Sequence, residues 1–156
     1  GRGMKAEFVN PFASAVVMVF QKEFGMNVMR DSLALHQGPL RGADVNTIIG
    51  VTGQLEGQVI YTFDERVALR IASALMGEAV EELDELAKSA VAELGNIITG
   101  NAAIGLSENG YNCILTPPTL LTGKELIVTT FTPVLNIPFS TDFGSVIVHV
   151  ALRERP

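Results

Sequence analysis

The chain is poor in the residues that most often announce chemistry. It has one cysteine, Cys113, and two histidines, His36 and His149. A single thiol cannot close an internal disulfide, and Cys113 sits in an apolar run beside Ile114 and Leu115, so a buried, inert thiol in a reducing compartment is expected. A cytoplasmic location is therefore expected. The histidines stand apart from each other and from any cysteine or carboxylate at ligand spacing, which predicts solvated or strand-surface histidines and no metal site. Basic residues never cluster beyond a pair. A formal net charge of −6 and a pI near 4.9 argue against tracking along the phosphates of a nucleic acid, and a nucleic-acid partner is not expected. No apolar stretch approaches the ~20 residues needed to span a bilayer, and no basic leader with a hydrophobic core stands at the N-terminus, so membrane insertion is not expected. Ser89 lacks a G-x-S-x-G elbow. The glycine-rich pieces at 38–42 and 53–57 lack the Lys-Ser/Thr or the strand-turn-helix setting of a phosphate cradle.

What is present is a full core. Hydrophobic residues make up 47% of the 156 positions, enough for a single domain over 4–156 without staples, and Gly1–Gly3 before Met4 are expected to be an expression remnant. Asn10-Pro11 reads as the cap and first turn of a helix carrying Phe12, Val16, Val19, Phe20 and Phe24 to a stop at Gly25. The period then changes to two. Val45, Thr47, Ile49 and Val51 line one side of a strand, Val59, Tyr61 and Phe63 one side of the next, and 53–57 is the expected hairpin loop. A further strand is expected around Ser32 to His36. Asp64 caps a short helix that ends at Gly77. The acidic residues Glu78, Glu81, Glu82, Asp84 and Glu85 then match the amide-rich start of a long helix, which is their expected role in place of metal binding. Later strands are expected at 112–115, 125–136 and 144–152, with Pro133 and Pro138 forcing a bend, a bulge or an edge position.

The long helix, 84–106, is the unusual element. Leu86, Ala87, Ala90, Val91, Leu94, Ile97 and Ile98 make a broad apolar face, while Ser89, Glu93, Asn96 and Gly100 recur on the other side. Each mid-helix glycine costs roughly 1 kcal/mol relative to alanine, so Gly95 and Gly100 answer to something besides helix stability. An acid and an amide on adjacent turns suit hydrolysis of an activated phosphoryl group, where positioning water in line and matching charge do most of the work. A neutral asparagine can orient the water without repelling phosphate oxygens. Glu93 can pair with a cation on a partner, and neighbouring glycines allow a partner surface close approach. The same letters also suit an exposed Glu and Asn beside helix-packing glycines.

The order of elements reads as a duplicated half. Glu7-Phe8-Val9-Asn10 aligns with Glu93-Leu94-Gly95-Asn96, and the fold class expected is α+β, with two long helices side by side about a pseudo-two-fold on one face of a shared sheet. The segment LDELAKSAVAELGNIITG, followed by TPPTLLTG, resembles the phosphatase signature of the CheC/CheX/FliY proteins of bacterial chemotaxis: Ser89, Glu93 and Asn96, then Pro117 or Pro118. KAEFVNPF and VTGQLEGQVIYTF resemble the CheX branch, so the likeness runs from Met4 through nearly the whole chain.

This resemblance implies a CheC-like fold of two helix-plus-three-strand halves with a roughly six-stranded, mostly antiparallel sheet. It implies a phosphatase acting on the phospho-aspartate of a CheY-type response regulator, with Asn96 orienting water and Glu93 engaging the receiver's active-site lysine. Ser89, Gly95, Gly100, Pro117 and Pro118 would contact the partner. Mg²⁺ would come with the receiver, and the protein itself would need no cofactor. A homodimer is also implied. Glu7 and Asn10 keep the E-x-x-N letters in the first half, but Asn10 reads as a helix cap, so a degenerate site is expected there. The alternative from another class is a non-catalytic module that binds a response regulator or flagellar switch component. A receiver outside chemotaxis is a third reading.

Overall fold

The computed structural model describes residues 6–123, 125–130 and 132–156. The expected remnant Gly1–Gly3 lies outside the described residues. In chain order the elements are α1 (Ala6–Phe24), β1 (Met29–Arg30), β2 (Ala34–His36), β3 (Leu40–Arg41), β4 (Val45–Gly53), β5 (Leu55–Phe63), α2 (Glu65–Met76) and α3 (Glu85–Glu108). They continue as β6 (Cys113–Leu115), β7 (Thr119–Thr122), β8 (Ile127–Val128), β9 (Val134–Thr141) and β10 (Gly144–Glu154).

Every strand pair is antiparallel. The main sheet runs β1-β9-β10-β5-β4-β6, with β2 sharing the β1 edge of β9 and β7 sharing the β6 edge of β4, so eight strands occupy six positions. The pairing is reciprocal between halves. β5 pairs β10, β3 pairs β8 in a separate two-stranded ribbon, and α1 packs on α3. Each half's broken edge strand joins the other half's hairpin. This is the pseudo-two-fold that the faint repeat implied, with each edge strand split in two and α2 standing between the halves.

Alternation in the strands decides which face is buried. Val45, Ile49 and Val51 on β4, Val59, Tyr61 and Phe63 on β5, and Val146, Val148, Val150 and Leu152 on β10 all join the core beneath the helices. Phe8, Phe12, Val16 and Phe20, repeating every four residues on α1, are fully buried from the other side. Complete burial of one such side chain contributes about 1.5–3 kcal/mol. The opposite face is partly covered by the β3–β8 ribbon, where Leu40 and Val128 close over Ile60.

The helix signals hold for α2 and α3. Asp64 and Asp84 accept from Val67 N–H and Ala87 N–H at 2.8 and 2.9 Å, and Gly77 closes α2 at φ +71°. Gly25 ends α1 at φ +61°.

The reading of Asn10-Pro11 as a cap does not hold, because α1 already runs from Ala6 and Pro11 lies inside it. Proline leaves the Glu7 carbonyl without its i+4 donor, and the Asn109 side chain, from the end of α3, donates to that oxygen at 3.4 Å.

The expected 53–57 loop shrinks to a turn at Gln54. Gly57 lies within β5 at φ +145°, where a Cβ would overlap the Ala151 carbonyl oxygen. The 125–136 segment is not one strand but β8 and the start of β9. Pro138 sits inside β9 where β1 gives way to β2. Its carbonyl accepts from Asp31 N–H at 2.8 Å, so its missing donor faces the interrupted neighbour and costs no ladder bond.

Candidate functional site

The turn of α3 that bears Glu93 and Asn96 is fixed from below. Gly95 is buried, and a Cβ on it would stand 3.1 Å from Thr47 Cγ2 and 3.3 Å from Tyr61 Cδ2, so the helix seats directly on β4 and β5. Thr99, one turn on, donates to the Gly95 carbonyl at 2.7 Å and lies 2.7 Å from the Tyr61 hydroxyl. Burial pushes the Tyr61 hydroxyl far above its usual acidity range, so it is a hydrogen-bonding strut only.

Above this contact the polar pair faces solvent. Glu93 is exposed and Asn96 half-exposed, with Asn96 Nδ2 directed at Glu93 Oε1 at 3.4 Å. The amide nitrogen thus leans on the carboxylate, and among the described residues no donor reaches Asn96 Oδ1. That oxygen can accept from a water. Ser89, one turn before Glu93, is exposed, and around Gly100 a Cβ would meet nothing within 4 Å.

The expected role of Gly95 changes with this geometry. Its close approach is to the sheet, not to an outside surface, because it lies on the buried side of the helix. Leu86 is corrected in the opposite sense: placed on the apolar face by its spacing, it is 66% exposed. Pro117 and Pro118 link β6 to β7 along the outer edge of β4. Thr116 N–H donates to the Gly50 carbonyl and Gly50 N–H to Thr116 Oγ1, at 3.0 and 2.8 Å, while Thr119 pairs with Ile48. α3 packs on these edge strands. The prolines therefore flank the helix but make no hydrogen bond to Glu93 or Asn96.

The first-half motif is differently employed. Glu7 accepts from the Tyr111 hydroxyl at 2.7 Å, and that hydroxyl also lies 3.2 Å from Glu154. The Glu7 hydrogen bond, with partial desolvation and the two carboxylate charges, pushes Tyr111 up to about 12. Asn10 is exposed on α1, in the helix and not at its cap. A carboxylate held by a tyrosine is not poised for an outside cation as Glu93 is.

Other chemistry is sparse. Cys113 is half-buried with its thiol shifted up, chiefly by desolvation. His149 is buried, contrary to expectation: its Nδ1 lies 2.7 Å from Asn136 Oδ1 and its Nε2 2.8 Å from Thr62 Oγ1. Among the described residues no group of three His, Cys, Asp or Glu could hold a metal, and no helix is long and apolar enough to cross a membrane. A cleft of about 250 Å³ lined by Thr52, Gln58, Thr130, Ala151 and Arg153 opens on the far face of the sheet. Glu93 and Asn96 instead stand on a convex helix surface, which suits a macromolecular substrate better than a small one. Thr47 and Tyr61 were expected on their strand faces, but their part in seating the helix was not, and Thr99 was not singled out; the four-residue step from Gly95 to Thr99 was the available signal.

Comparison with known proteins gives the same direction. The family model for chemotaxis phosphatase CheX matches residues 45–140, a stretch that contains Glu93, Asn96, Pro117 and Pro118 but not Glu7 or Asn10. The CheY-P phosphatase CheX of Thermotoga maritima is 43% identical over 95 residues, which are 60% of this chain and 61% of that protein. A CheC-like superfamily protein from Shewanella sp. PV-4 superposes with a TM-score of 0.84 at 28% identity, covering 98% of this chain and 100% of that one. A CheX–CheY–BeF3–Mg²⁺ complex from Borrelia burgdorferi gives 0.75 at 28% identity over 96% of this chain and 100% of that one.

Proposed function

The chain belongs to the CheX family of chemotaxis phosphatases, and from that premise we propose that it hydrolyses the phospho-aspartate of a CheY-type receiver domain. The observation that carries the reading is the exposed Glu93–Asn96 pair, with Asn96 Oδ1 left open beside a carboxylate on a convex helix turn. Asn96 Oδ1 accepts a hydrogen of the attacking water and holds the water's lone pair toward phosphorus. The P–O bond to the receiver aspartate breaks as the water oxygen bonds, releasing a carboxylate and inorganic phosphate. Glu93 pairs with a receiver lysine and fixes the register of docking. A Mg²⁺ bound by the receiver supplies charge neutralisation at the phosphoryl oxygens; no donor set on this chain is needed for it. The similarity to a chain solved in complex with CheY and Mg²⁺ supports this division of labour. The working form is a homodimer in the cytoplasm, and chemotaxis is the pathway.

The test is the decay of a phosphorylated CheY-type receiver in Mg²⁺ buffer with native protein, Asn96→Ala and Glu93→Ala. Asn96→Ala should lower kcat by about a hundredfold or more with the fold intact. Glu93→Ala should raise KM by about tenfold or more. Native-like hydrolysis in both variants would sink the proposal, and binding without accelerated decay by the native protein would turn it into the non-catalytic module.

A further inference from the structure

α3 exposes two large apolar side chains, Leu86 at 66% and Ile104 at 60%. Single exposed hydrophobics on a surface are ordinary. These two are not placed at random. They are eighteen residues apart, five whole turns at 3.6 residues per turn, so they share one line along the helix. Glu93 lies seven residues after Leu86 and eleven before Ile104, within about 20° of that line around the axis. The stretch between is low. Ser89 is small, and at Gly100 there is open space where a side chain would stand.

We propose that Leu86 and Ile104 are the two apolar anchors of the surface on which the phosphorylated receiver docks, one at each end of the Glu93–Asn96 pair. The inference rests on the phosphatase reading above. Eighteen residues of helix span about 27 Å, close to the width of a standard interface that buries about 800 Å² per partner. Anchors at the rims and a charged and polar pair at the centre divide the work. Leu86 and Ile104 supply uniform binding, present with substrate and in the transition state, whereas Asn96 acts only on the reacting water. A second copy of this chain seated on the same line would cover Glu93 and Asn96 and shut water and phosphate out, so the occupant is the receiver.

Leu86→Ala and Ile104→Ala test this in steady-state assays with a Mg²⁺-loaded, phosphorylated CheY-type receiver, alongside Asn96→Ala. Ile127→Ala serves as control, since Ile127 is 61% exposed on the ribbon at the opposite face of the sheet. Each anchor variant should raise KM about tenfold and leave kcat within twofold, the double variant should raise KM further, and the control should match native protein. Exposed positions should leave thermal unfolding unchanged. Native KM in both anchor variants, with Asn96→Ala inactive, overturns the docking surface and leaves the phosphatase reading standing. Full activity of Asn96→Ala overturns that reading first. An equal KM rise in the Ile127 control, or a change in the sedimentation mass of the free double variant, also overturns the proposal, the latter by assigning the line to a second copy.

Discussion

The Tyr61 hydroxyl on β5 reaches Thr99 Oγ1 on α3 at 2.7 Å across 38 residues of chain. Thr99 has one proton and gives it to the Gly95 carbonyl, so the tyrosine is the donor to Thr99. This pair fixes the height of the turn that presents Asn96. Thr99→Val keeps the shape and strands a fully buried hydroxyl, which should cost about 1–3 kcal/mol, whereas Tyr61→Phe removes the donor and leaves Thr99 satisfied, at about 1 kcal/mol. Urea unfolding should rank Thr99→Val below Tyr61→Phe. The reverse order would mean that the tyrosine hydroxyl has another partner.

Two glycines on the same helix should respond in opposite directions to alanine. At Gly100 nothing lies within 4 Å, so Gly100→Ala should stabilise the protein by roughly 0.5–1 kcal/mol through helix propensity alone. Gly95→Ala has the same intrinsic gain, but its methyl group meets Thr47 and the Tyr61 ring at 3.1 and 3.3 Å. The ring is held by Thr99 and cannot give freely. Overpacking of about 1–3 kcal/mol should therefore win, and Gly95→Ala should melt below native protein. Thermal unfolding of the two variants checks both signs.

The E-x-x-N letters on α1 should be silent. Glu7 is engaged by the Tyr111 hydroxyl, which leaves Asn10 without a free acidic neighbour of the kind Asn96 has. Asn10→Ala should leave kcat and KM for a phosphorylated receiver within twofold of native values, while Asn96→Ala is inactive. A loss of half the activity in Asn10→Ala would instead establish two working sites.

Local signals carried much of this fold, and long-range ones explain the failures. The periodicity of α3, its Asp84 cap and the alternation in β4, β5 and β10 depend on neighbours in sequence, and each was legible. Asn10-Pro11 has the letters of a helix start, yet the carbonyl that Pro11 leaves bare is met by Asn109, a partner 102 positions away from Glu7. Gly57 looked like a loop glycine because its reason, the Ala151 carbonyl, lies on β10. For the candidate site, the solvent-facing side of α3 that carries Glu93 and Asn96 was legible from residue type and spacing, but Gly95 was assigned to the wrong side of the helix. At about 100° per residue Gly95 lies about 40° from Val91 and about 100° from Asn96, so the spacing already leaned toward the buried side, and the sheet beneath supplies the reason for a glycine there.

His149 makes stability depend on pH. Burial, then the nearby His36 charge, lowers its pKa from 6.5 to about 4, and the neutral ring is satisfied at both nitrogens by Asn136 and Thr62. The unfolded chain therefore takes up a proton at a higher pH than the folded one. Between pH 6.5 and 4 the unfolded state binds more protons, so stability falls as pH falls through that window and levels off below it. The largest loss is on the order of 3 kcal/mol, from about 1.4 kcal/mol per pKa unit. Carboxylates begin to titrate near pH 5, which makes the interval from 6.5 to 5 the diagnostic one. His149→Gln keeps a polar side chain and removes the titration, so it should be less stable than native protein at pH 7 yet lose much less stability on moving to pH 5. Parallel slopes for the two proteins in urea unfolding across that interval would show that His149 is not the group responsible.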